Sequence, residues 1–536
     1  MAEMLDTSTC LPKRRKMDIF FHADYDLAAL LGLAERLRHR PCTCDESQVP
    51  KSGTFNWAIL LEFDDGVEWV FRAPASRCTS IKDLTGRLLD SEVATLRYVR
   101  EHTSIPVPEV FHYSPSYEND IGIPYILMSK ATGRPLATFD WQTHNLELPL
   151  RKSPTKPKRA LAEAEKAKIM QQLGCYAYQL FNLRFPAIGS LFEGTKGYYI
   201  DECLSPGHIL DDRQIIKGIP RGPFYCEADY YSSLTSALLL HAKQLPMGYH
   251  VLLAPIPVPQ EYSNFTKYRA ATDRWNDFAV LGEKAESSKN RLQYSLASYF
   301  LRDSIIPRLT SSQAAPGFPL YHHDISNQNL FVDDDLNITC VIDWAFCSTV
   351  PPAQLLATPG LPHPRDLVSD SSLVGAFRSG FESENRRTGG GIVERSVVES
   401  DYWEVSKLVS HFMRLVNQDA LQDYHHLETL LALHPRTRED DRNDTDSIPA
   451  MLAAQATTQE VLALVDVLVA NDEPESEVQR EEKEYFDVMG AGKLALARKV
   501  TLAAEMNPRF VADRRLWRWI DAVMGGVEYD GVGYDK

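Results

Sequence analysis

One stretch near residue 330 constrains this chain more than any other part of its sequence. A His-x-Asp-x-x-x-x-Asn pattern spans 322–329 and is followed, after a short stretch that alternates apolar and polar residues, by Val341-Ile342-Asp343-Trp344. Phosphoryl transfer from a nucleotide needs one carboxylate at the acceptor hydroxyl, and an amide and a second carboxylate on the magnesium that holds the phosphates. The pattern supplies these groups in that order, as Asp324, Asn329 and Asp343.

The local sequence indicates how the two candidate magnesium ligands approach each other. Two β-prone runs, 330–332 and 338–342, flank the turn-forming stretch 333–337, which predicts a β-hairpin. Such a hairpin would bring Asn329, before its first strand, close to Asp343, after its second. Magnesium prefers oxygen ligands that converge in this way. The alternative is a surface hairpin that carries acids and amides without a function.

A second group of candidate residues lies earlier in the chain. Ser52-Gly53-Thr54 opens a loop that leads into an apolar strand over 55–63, Asp64-Asp65-Gly66 is a hairpin turn signal, and 68–73 is the return strand. In nucleotide phosphotransferases a loop of this kind covers the phosphates. An ordinary surface hairpin is the alternative interpretation.

The return strand carries the candidate phosphate-binding cation. This residue is Arg72, which is always charged and can offer two donors to phosphate oxygens. Glu92 lies on an amphipathic helical stretch over 89–99 and is the best candidate to pair with Arg72 and orient it. Because Lys supplies the same charge, Arg72→Lys is expected to retain substantial activity.

Together these pieces resemble the aminoglycoside phosphotransferase family, whose kinase-like fold also includes choline and homoserine kinases. The matching pieces are 52–63, Val70-Phe71-Arg72, Ser91-Glu92, Ile105-Pro106-Val107-Pro108, Tyr125-Ile126-Leu127-Met128, 322–329 and Ile342-Asp343-Trp344. The Ile-Asp-Trp ending resembles these small-molecule kinases more than protein kinases, which have Asp-Phe-Gly there. Arg at the cation position, with Asn-Trp after the loop, resembles the fungal members, few of which have an assigned substrate.

The resemblance implies an α+β, two-lobed protein-kinase-like fold, with a small antiparallel-sheet N-lobe and a large, mostly helical C-lobe. The expected domains are an N-terminal extension over 1–50, a nucleotide-binding N-lobe over 51–133, a helical C-lobe over 134–435 with its catalytic loop at 322–344, and a C-terminal helical extension, packed on the C-lobe, over 436–536. Segments 186–226, 247–266 and 350–395 are rich in Pro, Gly and polar residues, which predicts loops or insertions on the larger lobe.

The resemblance also implies an ATP- and magnesium-dependent kinase that phosphorylates a hydroxyl of a small molecule. Asp324 and His322 are the candidate catalytic residues, with Asp324 at the hydroxyl and His322 more readily interpreted as shaping the loop. Asn329 and Asp343 are the candidate metal ligands. The candidate nucleotide-binding residues are Ser52, Gly53, Thr54, Arg72, Glu92, Met128 and Lys130.

Composition narrows the range of partners and compartments. The net charge of −16 argues against nucleic-acid binding, and no apolar run is long enough to cross a membrane. This charge could attract a cationic acceptor, although a soluble acidic surface is the simpler explanation. Nine Cys without a Cys-x-x-Cys pair favour neither disulfides nor zinc, so a reducing, cytoplasmic location is expected. The basic run 12–16 leaves nuclear import open.

Two other function classes remain open at the level of sequence. A catalytically silent kinase fold, which binds a nucleotide or a partner only, would normally lose Asp324, Asn329 or Asp343, but Arg72 in place of Lys gives it some support. A protein-directed kinase would be expected to have an activation segment ending in Ala-Pro-Glu, and none follows Asp343.

Overall fold

The computed structural model describes 18–75, 82–141, 158–248, 250–253, 285–310, 317–361, 370–389, 402–418, 423–433, 448–472, 474, 476–478, 480 and 483. The basic run 12–16 and most of the expected C-terminal extension lie outside these residues. The chain divides into two compact units, of which the first comprises Met1–Gly133, Leu191–Tyr199 and Thr339–Ala345 and the second the remainder. The four expected domains stay predictions. Within the described ranges, no helix is both long and apolar enough to span a bilayer.

The strands and helices are numbered here along the chain. The strands are β1 Cys42–Thr43, β2 Lys51–Ser52, β3 Asn56–Phe63, β4 Glu68–Pro74, β5 Val110–Ser114, β6 Tyr125–Ser129, β7 Arg134–Pro135, β8 Arg184–Phe185, β9 Ser190–Gly194, β10 Gly197–Asp201, β11 Phe318–Tyr321, β12 Leu330–Val332, β13 Ile338–Val341 and β14 Ser348–Thr349. The helices are α1 Leu27–Arg38, α2 Lys82–His102, α3 Glu163–Asn182, α4 Pro206–Ile209, α5 Glu227–Gln244, α6 Ser288–Phe300, α7 Ile306–Leu309, α8 Pro352–Leu355, α9 Ser371–Arg387, α10 Tyr402–Asn417, α11 Asp423–Ala432, α12 Ile448–Gln455 and α13 Gln459–Val469. The expected α+β class is confirmed.

The first unit is built on an antiparallel sheet in the order β1-β3-β4-β6-β5, with β2 paired to β3. The hairpin predicted around Asp64-Asp65-Gly66 joins β3 to β4, and Gly66 has a φ of 79°. This left-handed backbone conformation favours glycine. The predicted hairpin is therefore confirmed.

Strand alternation decides which side chains of the sheet meet α2. On β4, Phe71 packs into a cluster with α1 residues, whereas Val70 packs against Leu89 and Val93 of α2. Successive side chains on a strand point to opposite faces of a sheet. Arg72 therefore shares the α2-facing side of the sheet with Val70.

The first unit also contains a hairpin that the sequence did not predict. Residues 186–226 were expected to form loops or insertions on the larger lobe, and within them β9 and β10 pair as a two-stranded sheet. Leu191 and Phe192 are 0% and 5% exposed, so this segment buries apolar side chains. Gly197, with a φ of 107°, allows the tight reversal between the strands.

The second unit is mainly helical, with two short pieces of sheet. β11 pairs with both β8 and β14, and β12 pairs with β7. The turn predicted after β12 is present: the backbone N–H of Leu336 donates to the Asp333 carbonyl at 3.2 Å. The Asp333 side chain accepts from the Asn337 backbone N–H at 2.8 Å. These bonds explain why acidic and amide residues occupy this turn.

Helix α9 lies within 350–395, the segment expected to form loops or insertions on the larger lobe. It packs along α3, where a Cβ at Gly174 would overlap the Phe377 carbonyl and a Cβ at Gly380 would overlap the Gln171 carbonyl. The two glycines thus allow the helix backbones to approach closely. Gly380 lies in the segment whose Pro, Gly and polar content indicated loops or insertions, whereas its role is in helix packing. The part of segment 247–266 beyond residue 253 lies outside the described residues.

A buried polar cluster links α6 and α11 in the second unit. Asp423 is 4% exposed and accepts hydrogen bonds from His250 Nδ1 at 2.7 Å and the Tyr294 hydroxyl at 2.6 Å. Burial opposes the charge on His250, but Asp423 outweighs it and raises the pKa of the imidazole above its ordinary value. The cluster therefore favours a protonated His250.

Asp423→Asn is expected to lower the free energy of unfolding by about 1.5–3 kcal/mol, the usual contribution of hydrogen bonds to a charged group. Because the pKa of His250 is raised on folding, the charged pair stabilises fully below about pH 6.5, the ordinary imidazole value. Its contribution is lost as the pH rises through the higher folded-state pKa. Melting curves between pH 5.5 and pH 8.5 (about the range set by imidazole titration) measure the difference in stability between wild type and mutant. A difference that stays constant across the range would contradict the assignment.

Candidate active site

The guanidinium of Arg72 and the carboxylate of Glu92 form a bidentate pair in the first unit. Nη1 and Nη2 of Arg72 each donate to one oxygen of Glu92 at 2.6 Å. The side chains are 12% and 3% exposed. Burial works against both charges and raises the pKa of the Glu92 carboxyl, while Glu92 holds the pKa of Arg72 above its ordinary value. Two hydrogen bonds of this length are typical of a charge-assisted pair.

Asn56 is a third member of this arrangement. With its amide oxygen turned toward the guanidinium, Asn56 accepts from Arg72 Nη2 at 2.9 Å and its nitrogen donates to the Phe55 carbonyl at 3.3 Å. The register places Asn56 at the start of β3, beside the strand that carries Arg72. Sequence reasoning noted Asn56 only as a feature shared with fungal relatives. Its occurrence together with Arg72 was the signal that could have revealed its role.

Asp343 lies near the same guanidinium. Its Oδ1 is 3.7 Å from Arg72 Nη2, and it is a buried atom without a hydrogen-bond partner among the described residues. Its φ of 62° is in the left-handed region, which Asp tolerates better than most residues. Two hydrogen bonds fix the chain beside it, from the Val341 N–H to the Pro106 carbonyl at 2.8 Å and from Trp344 Nε1 to the Val341 carbonyl at 2.9 Å. The backbone is thus held where the carboxylate faces Arg72.

The remaining candidate catalytic residues lie in the second unit. His322, 3% exposed, accepts a hydrogen bond at Nδ1 from the Asp324 backbone N–H at 3.1 Å. Asn329 Nδ2 donates to both the backbone carbonyl and Oδ2 of Asp324, each at 3.0 Å. The His322 ring thus accepts a hydrogen bond from within the loop, and its role stays a prediction. Because the Asn329 nitrogen is engaged, the amide oxygen is the atom suited to a cation.

A cavity of the second unit lies beside this loop. Its walls are Tyr321, His323, Gln354, Ala357, Thr358, Pro359, Gly360, Val409, Ser410, Met413, Arg414 and Asn417. Burial lowers the pKa of His323 to about 3, so this ring is neutral, and its Nε2 contacts the Ser348 hydroxyl at 2.9 Å. Gln354 Oε1 is buried without a hydrogen-bond partner among the described residues. A neutral imidazole and a free amide oxygen suit a ligand with hydroxyl groups.

The other candidate nucleotide-binding residues lie in different surroundings. Ser52, Gly53 and Thr54 are exposed, and the Gly53 N–H donates to the Asn56 carbonyl at 2.8 Å, which closes a tight turn before β3. Met128 is 7% exposed and packs against α2, so its side chain belongs to the core. Lys130 is paired with Glu68. The nucleotide-binding role of these residues stays a prediction.

The donor set fits magnesium better than a metal bound by protein alone. Among the described residues, no group of three or more His, Cys, Asp or Glu side chains is arranged to hold a metal ion. Magnesium, however, is commonly bound by one or two carboxylates together with water and phosphate oxygens. Oδ1 of Asp343, which makes no hydrogen bond to the described residues, is suited to such a cation.

Comparison with known proteins gives partial matches. No family model matches the chain. A subtelomeric hrmA-associated cluster protein of Aspergillus fumigatus, found in two strains, is 32% identical over 149 residues, or 28% of this chain. The match spans 25% of that relative's own length.

Solved structures with some similarity are small-molecule phosphotransferases. The macrolide 2'-phosphotransferase MphH of Brachybacterium faecium is 13% identical and covers 77% of this chain and 100% of its own, with a TM-score of 0.36. A putative fructosamine-3-kinase of Thermobifida fusca is 13% identical and covers 80% and 100%, with a TM-score of 0.38. The aminoglycoside phosphotransferase APH(4)-Ia with ADP and hygromycin B is 14% identical and covers 76% and 98%, with a TM-score of 0.36.

Proposed function

We propose that this chain is an ATP- and magnesium-dependent phosphotransferase that moves the γ-phosphoryl group to a hydroxyl of a small molecule. The observation that carries the proposal is the buried Arg72–Glu92 pair with Asp343 Oδ1 3.7 Å from the guanidinium. Kinases need an ion pair of this kind together with a metal-binding carboxylate. The order of the sequence motifs supports the same reaction.

In the proposed mechanism each residue has one task. Asp324 orients the acceptor hydroxyl and accepts its proton late in the transfer. Asn329 and Asp343 would supply oxygen ligands for magnesium, which would neutralise charge on the nucleotide phosphates. Arg72, held by Glu92 and Asn56, neutralises further phosphate charge. His322 keeps the loop that carries Asp324 in shape.

The acceptor is proposed to bind in the cavity that His323 and Gln354 line. Its described walls contain no Asp or Glu, although the acidic net charge of the chain had left a cationic acceptor open. Neutral hydroxyl compounds therefore fit these walls better than polyamines. A thermal-shift screen of alcohols, sugars and amino sugars, with magnesium and a non-hydrolysable nucleotide, tests whether such compounds bind and which class binds best. Transfer of labelled phosphate from ATP to the compounds that stabilise the protein would establish the reaction, and stabilisation by amino sugars alone would contradict the acceptor class.

The geometry changes the expected result of Arg72→Lys. A lysine offers one nitrogen, which cannot bond both oxygens of Glu92 and Asn56 in the fork geometry of a guanidinium. Glu92, 3% exposed, would lose one of its charged hydrogen bonds, at about 1.5–3 kcal/mol. We therefore expect kcat/KM for the nucleotide to fall by about 10- to 100-fold in Arg72→Lys, and further in Arg72→Ala. Steady-state kinetics at varied ATP measures this.

Glu92→Gln provides the control for the Arg72 variants. It should give a milder defect than Arg72→Ala, and the double mutant should lose less than the sum of the two, because the pair acts as one unit. Additive losses would mean that the residues act separately and that another group supplies the cation. Full activity in Arg72→Lys would show that the charge alone is sufficient.

A catalytically silent nucleotide-binding protein is the second candidate, favoured by Arg72 at a position where relatives have Lys. It predicts nucleotide binding without transfer of phosphate to any acceptor or to water. ATP turnover by the wild type that is lost in Asp324→Asn would exclude it.

A further inference from the structure

The hairpin over Leu191–Tyr199, called here the 191–199 hairpin, packs on the helix that carries Glu92. The Arg97 guanidinium donates to Glu193 Oε2 at 2.7 Å. The Tyr98 and Tyr198 rings meet edge to face with centroids 4.9 Å apart. The hairpin therefore touches α2 through both an ion pair and an aromatic contact.

Two further contacts extend this interface along the helix. The Arg87 guanidinium lies over the Phe192 ring at 5.2 Å, and the Tyr198 hydroxyl donates to Glu101 Oε2 at 3.4 Å. Arg87 and Arg97 lie five residues before and five residues after Glu92. The hairpin thus contacts α2 on both sides of the residue that pairs with Arg72.

The opposite face of α2 rests on the sheet, where Leu89 and Val93 pack with Ile126 and Met128. Arg97 contacts both the hairpin and the sheet, because its guanidinium also lies 5.6 Å from the centroid of the Tyr113 ring on β5. A helix held on two sides has little freedom to rotate or slide. A rotation of α2 would separate the two hydrogen bonds of 2.6 Å between Glu92 and Arg72.

We propose that the 191–199 hairpin is a brace that holds α2 where Glu92 pairs with Arg72, with Arg97 and Glu193 as positioning residues. This inference rests on the proposed function, because the role of the pair is to present Arg72 to the nucleotide phosphates. Kinase catalysis depends on the placement of the helix that bears such a glutamate. The brace acts through Glu92 and touches neither nucleotide nor acceptor.

Charge reversal tests the brace. Glu193→Arg and Arg97→Glu are each expected to lower kcat/KM for ATP by about 2- to 5-fold, the range of a partly exposed ion pair, with the change mainly in the ATP KM. The double variant, which restores the pair in reverse, should recover to within about 2-fold of wild type. Failure of the double variant to recover, while both single variants are folded by circular dichroism, would overturn the inference.

A matched control lies on the same helix. Arg100 Nη2 pairs with Glu109 Oε2 at 2.9 Å, with the two side chains 51% and 48% exposed, but Glu109 belongs to neither the hairpin nor the site. Arg100→Glu should leave the ATP KM unchanged. In an Arg72→Ala background, Glu193→Arg should have no further effect on nucleotide affinity, because the pair through which it acts is gone. An undiminished effect there would also overturn the inference.

Hydrogen exchange separates failure of the brace from failure of the proposed function. Without nucleotide, the backbone amides around Glu92 should exchange faster in Glu193→Arg than in wild type, and Arg100→Glu should not change them. If the wild type bound no nucleotide, the proposed function would fall, whereas exchange would still decide whether the hairpin holds α2. Unchanged exchange in Glu193→Arg would refute the brace even in an active enzyme.

Discussion

Asp343→Ala is expected to abolish phosphoryl transfer and to weaken magnesium-dependent nucleotide binding, with the fold intact. The carboxylate is proposed as one of about two protein ligands of the cation, so its loss removes a large part of the metal's attachment to protein. Its Oδ1 is buried without a hydrogen-bond partner among the described residues, so truncation breaks no hydrogen bond of that atom. Calorimetric titration of nucleotide with and without magnesium measures the effect. A folded mutant with unchanged magnesium-dependent affinity would disprove the assignment.

The left-handed backbone at Asp343 makes a second variant necessary. Asp343 has a φ of 62°, and Ala adopts the left-handed region less readily than Asp or Asn does. Asp343→Asn keeps the size and the backbone preference but removes the charge. It should therefore fold like wild type and still lose transfer. A defect in Asp343→Ala that Asp343→Asn does not share would identify backbone strain, and not metal binding, as the cause.

Local patterns predicted the elements that carry the candidate residues. The helical stretch expected over 89–99 is present within Lys82–His102. The strands before and after Gly66 follow the turn signal and the alternation of apolar residues. Short-range periodicity is sufficient here because these elements each bury one apolar face.

Contacts between segments distant in sequence were not predictable in this way. Ser371–Arg387 is a helix in which Gly380 allows close packing on α3, a reason that composition does not reveal. The 191–199 hairpin lies in a segment interpreted as loops or insertions from its Pro, Gly and polar residues. Its contacts are with α2, which is about a hundred residues away in sequence (Arg97 and Glu193 are 96 apart). Propensity is overridden where tertiary packing dominates.

In the candidate site, too, some contacts could be predicted from the sequence and others could not. The pairing of Arg72 with Glu92 was expected from their spacing, and the structure contains it. The contribution of Asn56 depends on strand register and on the planar shape of a guanidinium, neither of which a motif expresses. For this reason the sequence suggested that Lys could replace Arg72, whereas the geometry indicates a site adapted to Arg.

Asp324→Asn is expected to lower turnover by about two to four orders of magnitude, the usual contribution of a positioned acid or base, with ATP affinity nearly unchanged. Asn keeps the shape, and its amide oxygen can still accept the bond that Asn329 Nδ2 makes to Oδ2 at 3.0 Å. The loop therefore retains its conformation, and the variant loses only the charge that orients the hydroxyl. Rapid-quench measurement of a single turnover, together with calorimetric nucleotide affinity, separates the two effects.

Asp334→Asn is the matched control for Asp324→Asn. Asp334 lies in the turn that follows β12, its side chain is 97% exposed, and it pairs with Arg134 at 3.1 Å. The same change of charge there should leave both turnover and ATP affinity unaltered, because exposed ion pairs contribute little. If nucleotide affinity collapsed in Asp324→Asn but not in Asp334→Asn, Asp324 would act as a metal ligand or a structural residue. The orienting carboxylate would then have to be sought elsewhere in the second unit.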